Sequence, residues 1–414
     1  MSGSSPKKVA DQFVAMGYEL PFSVARLREQ AVQRFKDDMQ DAGLNDAGIP
    51  DQYIATPSLL NSPLSIKTLL ASWTPPEIEK WTEQRIANTS KDAYESQGVS
   101  HNSKYWYFSQ KNEIFARTLP INSDGTIDRT EAWGNVSAVH RTDLPETPGA
   151  IPYDHFGSPC YFGGRLYVPI ESAGKKRPVF IANYSPNLDS HTLSALVYRN
   201  PFTEQIEPQE QSGWVAINPL DRCIYTSMEC KNILGLGNSK NHVILVYSLD
   251  ETVPLYEMAG VSSDLGWLAD AKKLGVVAHV FLGFFPVASF IHYEDRPWAL
   301  KEEDAYRKPE FPLDGVAGGV FDSNGRLFLS IGEDLDTDGD WSTTNRVCCY
   351  SAFDGTPLGS RVAGTDCTGD CEAEGLTIWN GEIFVVILHN DWPKDDHMNF
   401  HVYSPPGWPK WTHH

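Results

Sequence analysis

The sequence predicts an all-β fold, a β-propeller, from two markers that recur together and from the short strands around them. Tight turns are followed by an aliphatic-aromatic pair at Leu166-Tyr167, Ile224-Tyr225, Leu327-Phe328 and Ile383-Phe384. About twenty residues after each aromatic comes a Tyr-Ser pair, beginning at positions 184, 247, 350 and 403. A repeat of roughly 55 residues, built from short strands and turns, is typical of a radial array of blades.

The spacing of the aromatic anchors predicts the number of blades. The spacing is regular except between Tyr225 and Phe328, where the gap is about twice the repeat. We expect a degenerate blade around residues 272–277 to fill this gap, and a further blade near Ile114-Phe115. Six blades are therefore favoured, and seven is the alternative. A β-sandwich competes as an all-β fold, but it gives no reason for an internal marker to recur four times.

The first part of the chain has a helical rather than a strand-like pattern of apolar residues. Apolar residues recur at helical spacing from about residue 9 to 45. A second helical patch spans 64–95, where Pro75-Pro76 is a helix-start signal. We expect residues 1–96 to form an N-terminal helical extension that caps the array, followed by the propeller (97–408) and a C-terminal tail (409–414).

Composition excludes several classes of function. The net charge of −20 argues against nucleic acid and anionic membranes as partners, because both require clustered Lys and Arg. No apolar run is long enough to span a bilayer, and the first residues lack the apolar core of a signal peptide. A cytoplasmic location is favoured, with secretion as the alternative if a leader has been removed. The oligomeric state stays open.

The seven cysteines show no zinc-type spacing. In an oxidising compartment, the candidate disulfides are Cys367–Cys371 and Cys223–Cys230. The chain has no glycine-rich phosphate loop, nucleophile elbow or dinucleotide-binding fingerprint. We therefore expect no organic cofactor.

Candidate catalytic residues come from the predicted inner strands, which lie about twelve residues before each anchor and line the central channel. His101, His155 and Glu374 occupy similar places in three blades. We expect them to converge at the channel mouth, where imidazoles and a carboxylate suit general acid–base catalysis. The competing interpretation is that each histidine is structural and bonds the backbone of a neighbouring blade.

Three further residues are candidates for substrate binding. Trp214 lies at an inner-strand position, and Trp392 lies in a turn where it can wall a pocket. Arg141 is a candidate anchor for an anionic group. The alternatives are a core role for the tryptophans and a loop position for the arginine.

An acidic loop is the strongest single motif. Carboxylates alternate along it and a glycine follows the third of them, at Asp334, Asp336, Asp338, Gly339 and Asp340. Such spacing places several oxygens on one concave turn, as Ca²⁺ requires. The loop predicts a structural Ca²⁺ site away from the axis, and a solvated acidic hairpin is the alternative.

With this repeat and these motifs, the chain resembles calcium-dependent lactonase-type propellers over roughly residues 97–408. Its inner-strand segments 98–101, 155–157, 213–219 and 374–376 are also similar to uncharacterised fungal and bacterial propellers. The chain further resembles propeller-fold polysaccharide lyases and fungal propeller cyclases, including hetero-Diels–Alderases. Of the lactonase-type metal set of one Glu, two Asn and one Asp, only the Glu has a counterpart here, Glu374.

Together these observations predict an enzyme that needs no organic cofactor. We expect a lyase or cyclase, such as a pericyclase of fungal-type secondary metabolism, acting on a small organic molecule at the channel mouth. The alternatives are a polysaccharide lyase acting on a uronate-containing glycan and a non-catalytic ligand-binding propeller.

Overall fold

The structure is a computed structural model of the chain. It describes residues 71, 74–87, 96–118, 123, 138–148, 153, 155–171, 178–200, 203–229, 242–258, 267–285, 315–332, 345–352, 355, 357–364, 371–389 and 397–408. These residues are mostly strands joined by turns, so the all-β class is confirmed. One α-helix, α1 (Trp267–Lys273), and two 3-10 helices, Ile78–Lys80 and Leu255–Glu257, lie among the described strands.

The first half of the chain contains a leading strand, two blades and a hairpin. The leading strand is β1 (Thr82–Ala87). Blade 1 consists of β2 (Ser96–His101), β3 (Tyr105–Gln110), β4 (Glu113–Thr118) and β5 (His140–Asp143). Blade 2 consists of β6 (His155–Phe156), β7 (Cys160–Phe162), β8 (Arg165–Glu171), β9 (Phe180–Tyr184) and β10 (His191–Ala195). The hairpin is β11 (Val197–Arg199) and β12 (Ile206–Pro208).

The second half contains three blades. Blade 3 consists of β13 (Ala216–Asn218), β14 (Cys223–Glu229), β15 (His242–Pro254) and β16 (Val277–Phe285). Blade 4 consists of β17 (Val316–Phe321), β18 (Arg326–Ile331), β19 (Arg346–Ser351) and β20 (Pro357–Val362). Blade 5 consists of β21 (Cys371–Trp379), β22 (Glu382–His389), β23 (His397–Ser404) and the leading strand β1. Blades 2 and 3 join edge to edge, because β10 pairs with β16 in parallel.

The inner strands close into a ring. Strand β2 contacts both β7 and β21, β21 contacts β17, and β13 contacts both β17 and β7. This cyclic order is the radial arrangement that the sequence repeat predicts. The described strands make five blades, one fewer than the six favoured by spacing.

The double gap between Tyr225 and Phe328 explains that difference within the described part of the chain. The degenerate blade expected around residues 272–277 is instead the end of α1 and the start of β16, which is the outermost strand of blade 3. Strand β15 runs for 13 residues, and its final part pairs with the beginning of β16. In the described part of this gap, the added strand length therefore belongs to blade 3.

The two sequence markers face each other in the structure. In each of four blades, the aliphatic residue before the anchor aromatic is the cross-strand partner of the marker tyrosine. All four tyrosines are buried. Such cross-strand pairs are a main source of sheet stability. The pairs are Leu166 with Tyr184, Ile224 with Tyr247, Leu327 with Tyr350, and Ile383 with Tyr403.

The helix expected over residues 64–95 is wrong at 82–87. These residues form β1, which pairs antiparallel with β23 over six residue pairs. Pairing with an open sheet edge satisfies a full row of backbone groups, and it overrides a local helical pattern. The ring is thus closed by a strand from before blade 1. Residues 1–70, 72–73 and 88–95 of the expected extension, and the tail 409–414, lie outside the described residues.

Strand β1 is anchored by Glu83. Its carboxylate accepts hydrogen bonds from His401 Nδ1 (2.8 Å), the Tyr403 hydroxyl (2.9 Å) and the Gly364 backbone N–H (3.1 Å). Burial alone would raise the pKa of Glu83, but the hydrogen bond and charge of His401, with help from Tyr403 and Arg361, lower it to about 2. The ionised form therefore stabilises closure of the ring.

The inner strands meet at a point that we call the hub, formed by Gly98, Ser158, Gly318 and Gly375. A Cβ atom on Gly375 would lie 2.2 Å from Ser158 Oγ and 2.5 Å from Gly98 Cα. A Cβ atom on Gly318 would lie 2.6 Å from Gly375 Cα. Contacts this short exclude a side chain at the three glycines, so blades 1, 4 and 5 meet through backbone atoms, and the Ser158 residue of blade 2 packs against them.

The close contacts at the hub predict a large difference in folding stability between two Gly→Ala variants. Gly375→Ala forces the ring open, and we expect it to cost at least about 3 kcal/mol of folding free energy. Gly213→Ala is the matched control, because a Cβ atom there meets only Val316 O at 3.7 Å. Urea denaturation measures both variants. Equal stability of the two would mean that the hub contact does not hold the blades together.

The Glu83 cluster predicts acid-sensitive closure. Because folding lowers the pKa of Glu83 from 4.5 to about 2, its stabilisation is complete above pH 4.5 and lost as pH falls toward 2. Glu83→Gln should cost on the order of 3 kcal/mol at neutral pH. Glu77→Gln is the control, since Glu77 pairs with Lys80 only at the surface (2.7 Å) and should cost under about 1 kcal/mol. Denaturation curves at several pH values test this, and a Glu83→Gln variant as stable as Glu77→Gln would contradict it.

Candidate functional site

Five polar side chains lie at the end of the hub where the inner strands begin. Gln97 and Glu374 immediately precede the hub glycines Gly98 and Gly375, which are in contact. Sequence neighbours of two touching residues on adjacent strands lie close together. We call this end the mouth, and it comprises Gln97, His155, Glu171, Glu372 and Glu374.

His155 is held against blade 1. Its Nε2–H donates to Gln97 Oε1 at 2.8 Å, because a carboxamide oxygen only accepts. Across the sheet, His155 is the partner of Glu171. The Glu171 carboxylate accepts the backbone N–H of Ser212, the residue before Gly213. Blades 1, 2 and 3 therefore all contribute to the position of the imidazole.

Glu374 lies on a β-bulge of blade 5. The pairing of β21 with β22 shifts between Ala373 and Leu376, so Glu374 and Gly375 fall outside the regular ladder. The Glu374 backbone carbonyl accepts a hydrogen bond from the Ser330 hydroxyl of blade 4. Bulges of this kind redirect a side chain away from the sheet.

The Glu374 carboxyl is a desolvated acid. Burial, and second the neighbouring carboxylate of Glu372, raise its pKa well above the ordinary value. Within the described residues its carboxyl oxygens make no hydrogen bond. When two neighbouring carboxyls have different pKa values, one can act as a proton donor and the other as a base.

His101 does not join this group. It lies three residues beyond Gly98, roughly 10 Å further along β2 and on the other side of the hub. Its ring packs against Trp106 and Trp379 at centroid distances of 5.4 and 4.3 Å, and its Nε2–H donates to Ile378 O at 2.7 Å. Burial lowers the pKa of His101 to about 4. His101 is therefore excluded from the expected site, and the convergence of His155 and Glu374 stays a prediction.

Trp214 and Arg141 also lie elsewhere than expected. Trp214 is fully buried, its indole N–H donates to Ser227 Oγ at 2.8 Å, and its ring packs on Gly319. Arg141 lies on β5, the outermost strand of blade 1, where it pairs with Glu113 at 2.6 Å. Trp214 is a core wedge between blades 3 and 4, and Arg141 is a surface ion pair far from the axis.

The other candidates fall outside the described residues. These are Trp392 and the acidic loop with Asp334, Asp336, Asp338 and Asp340. Across the residues that the structure describes, no group of three or more His, Cys, Asp or Glu side chains is placed to hold a metal. The structural Ca²⁺ site in the acidic loop stays a prediction.

Sequence reasoning missed four residues at or behind the mouth: Gln97, Glu171, Glu372 and Ser330. One signal points to Ser330, because a serine follows the anchor aromatic by two positions in blades 3 and 4, at 227 and 330. Ser330 in blade 4 and Ser109 in blade 1 are each the cross-strand partner of a hub glycine.

The cysteines correct one expectation. Cys223 is free, so the Cys223–Cys230 pairing is wrong. Cys371, at the start of β21, is disulfide-bonded to a cysteine outside the described residues. Cys160, Cys348 and Cys349 are free as well. None of the helical segments described here combines the length and the hydropathy needed to cross a bilayer.

Comparison with known proteins gives only weak matches. No family model matches the chain, and no curated protein does. Among solved structures, the calcium structure of a family AA12 carbohydrate-active enzyme from Trichoderma reesei is 10% identical, with a TM-score of 0.35, over 80% of this chain and 98% of that one. A GH43_1 enzyme from Xanthomonas citri is 9% identical, with a TM-score of 0.39, over 81% and 93%.

A third solved structure, the RS223 β-xylosidase, is 10% identical, with a TM-score of 0.41, over 78% of this chain and 94% of that one. Similarity at this level says nothing about the activity of the present chain. The expected resemblance to lactonase-type propellers and fungal propeller cyclases finds no support in these matches.

The surroundings of His101 predict a structural role. His101→Ala removes a ring packed between two tryptophans and leaves a cavity, which should cost about 2–4 kcal/mol. His191→Ala is the control, because His191 is an exposed residue of β10 and should change stability by under about 0.5 kcal/mol. Chemical denaturation compares the two. A stable His101→Ala protein that had lost turnover would restore the catalytic role.

Proposed function

We propose that this chain is an acid–base enzyme, without an organic cofactor, that cleaves a C–O bond in a hydroxylated small molecule at the mouth. The observation that carries the proposal is the Glu374 carboxyl, which is desolvated, lacks a hydrogen-bond partner among the described residues and lies beside Glu372. A carboxyl with a raised pKa keeps its proton to a higher pH than an ordinary carboxyl and can donate that proton to a leaving oxygen.

The second proton transfer is assigned to the rest of the mouth. A base takes a proton either from water, which completes hydrolysis, or from a carbon next to the C–O bond, which completes elimination. Glu372 is one candidate base, since it is close enough to Glu374 to raise the pKa of that carboxyl. His155 is the other, oriented by Gln97 at 2.8 Å. A lyase follows from elimination and a hydrolase from hydrolysis.

The polarity of the mouth favours a neutral, polyhydroxylated substrate. Hydroxyl groups both donate and accept, which suits carboxyl, carboxamide and imidazole partners. Glu372 lies close to Glu374 there, and the net charge is −20, so an anionic uronate is disfavoured. An apolar polyene, the usual kind of pericyclase substrate, would leave these polar groups unpaired. The uronate lyase and the cyclase are therefore the weaker alternatives.

The disulfide of Cys371 bears on the compartment. Structural disulfides persist in oxidising compartments and are rare in the cytosol. We therefore include an extracytoplasmic location in the proposal, in place of the cytoplasmic one favoured by the sequence.

Glu374→Gln tests the proposal. Wild-type protein is incubated with neutral nitrophenyl glycosides, whose hydrolysis releases nitrophenolate, and with uronate-containing oligosaccharides, whose elimination creates a double bond conjugated to the carboxylate that absorbs in the ultraviolet. Neutral oligosaccharides are followed by chromatography of the products. We expect turnover of a neutral substrate, and a loss of about 10²–10⁴-fold in kcat for Glu374→Gln. Wild-type kcat should fall as pH rises through the raised pKa of Glu374, because the proton donor is lost.

Stability provides the control. Folding raises the pKa of Glu374, so the native state holds this proton more tightly than the unfolded chain. Stability therefore falls as pH rises above the usual value of 4.5, and Glu374→Gln should be at least as stable as wild type at neutral pH. Binding of neutral sugars without turnover would identify a non-catalytic propeller. Full turnover by Glu374→Gln would reject the assigned acid.

A further inference from the structure

We infer that Ser330 is a positioning residue for the acid at the mouth, acting from the neighbouring blade through the backbone carbonyl of Glu374. This inference rests on the proposed function for its catalytic consequence. Its structural basis is the Ser330 hydroxyl, which donates to Glu374 O across the boundary between blades 4 and 5.

The bulge creates the need for this hydrogen bond. Ala373 pairs with Ile387, and Leu376 pairs with Val385, so two residues of β21 face a single residue of β22. The Glu374 carbonyl therefore lies outside the regular ladder of its own blade. A carbonyl without a ladder partner requires another donor, and Ser330 of β18 supplies it. This bond fixes the peptide that follows Glu374, and with it the direction of the side chain.

The glycines of the hub allow the Ser330 hydroxyl to reach the neighbouring blade. Ser330 is the cross-strand partner of Gly318, and a Cβ atom on Gly318 would lie 2.6 Å from Ser330 Oγ. Gly318 in turn packs on Gly375. Because Gly318 has no side chain, the Ser330 hydroxyl can reach across the inner strand of blade 4 to blade 5. Ser330 is fully buried, so it contacts no substrate and acts only through Glu374.

Blade 1 offers a matched position without this link. Ser109 is the cross-strand partner of Gly98, as Ser330 is of Gly318. Both serines are fully buried. Within the described residues, the Ser109 hydroxyl has no hydrogen-bond partner. Ser109→Ala therefore removes the same atom from the same place in a blade without touching Glu374.

The test compares Ser330→Ala, Ser330→Cys and Ser109→Ala in the full chain. The first readout is the titration of Glu374, followed by ¹³C NMR of labelled carboxyl groups and assigned by the signal lost in Glu374→Gln. We expect Ser330→Ala to move the pKa of Glu374 down toward the ordinary value, because a released carboxyl turns toward water. Ser330→Cys fills the space but donates weakly, so it should behave like Ser330→Ala. Ser109→Ala should leave the titration unchanged.

The second readout is kinetic, on the substrate found for the wild type. Both Ser330 variants should lower kcat roughly tenfold with KM within about twofold, as expected for a misplaced acid. An unchanged Glu374 titration in both Ser330 variants, or an equal change in Ser109→Ala, overturns the inference. Titration requires no substrate, so the inference can fail or succeed independently of the proposed function. If Ser330→Ala does not fold, Ser330→Cys carries the same comparison.

Discussion

Direct backbone contact at the hub is the constraint on which the rest of the structure depends. Gly98, Gly318 and Gly375 come so close to neighbouring blades that even one methyl group would overlap with a backbone or hydroxyl atom. Because three blades meet there through glycines and the small Ser158 residue of blade 2 packs against them, the position of each inner strand is defined by its neighbours. A ring built in this way must also be closed at its edge, and β1 closes it by pairing with β23 around the Glu83 cluster.

The same contact separates the molecule into two ends with different chemistry. Beyond the hub, His101 packs between Trp106 and Trp379 and belongs to the aromatic core. Before the hub, His155 is hydrogen-bonded to Gln97, and the desolvated Glu374 carboxyl lies close to Glu372. The bulge at Glu374 links fold to chemistry, because Gly375 enters the hub while its neighbour keeps a carboxyl outside the regular ladder. A desolvated acid in that place lowers stability at neutral pH, a cost that proteins commonly accept at functional sites.

Local sequence patterns predicted the strands at the centre of each marked blade, but not the strand that closes the ring. The aliphatic-aromatic and Tyr-Ser markers reflect a cross-strand pair such as Leu166 with Tyr184, which forms between neighbouring strands and leaves a regular trace in the sequence. The strand at 82–87 leaves no such trace, since its partner β23 lies more than 300 residues away. The long gap before Phe328 does not by itself give the number of blades, because chain length alone does not distinguish a new blade from a longer one.

By itself, the sequence determined the all-β class, the centre of each marked blade, and the places of His155 and Glu374 on inner strands. These features depend on residue type at a regular spacing, which a linear chain displays directly. Only the tertiary structure decided that His101 lies on the far side of the hub, that Trp214 fills the core, and that Ser330 bonds the Glu374 carbonyl. Each of these contacts depends on how far along its strand a residue lies and on which neighbouring blade it meets there. A shift of three residues along a strand moves a side chain by roughly 10 Å, and no local pattern records it.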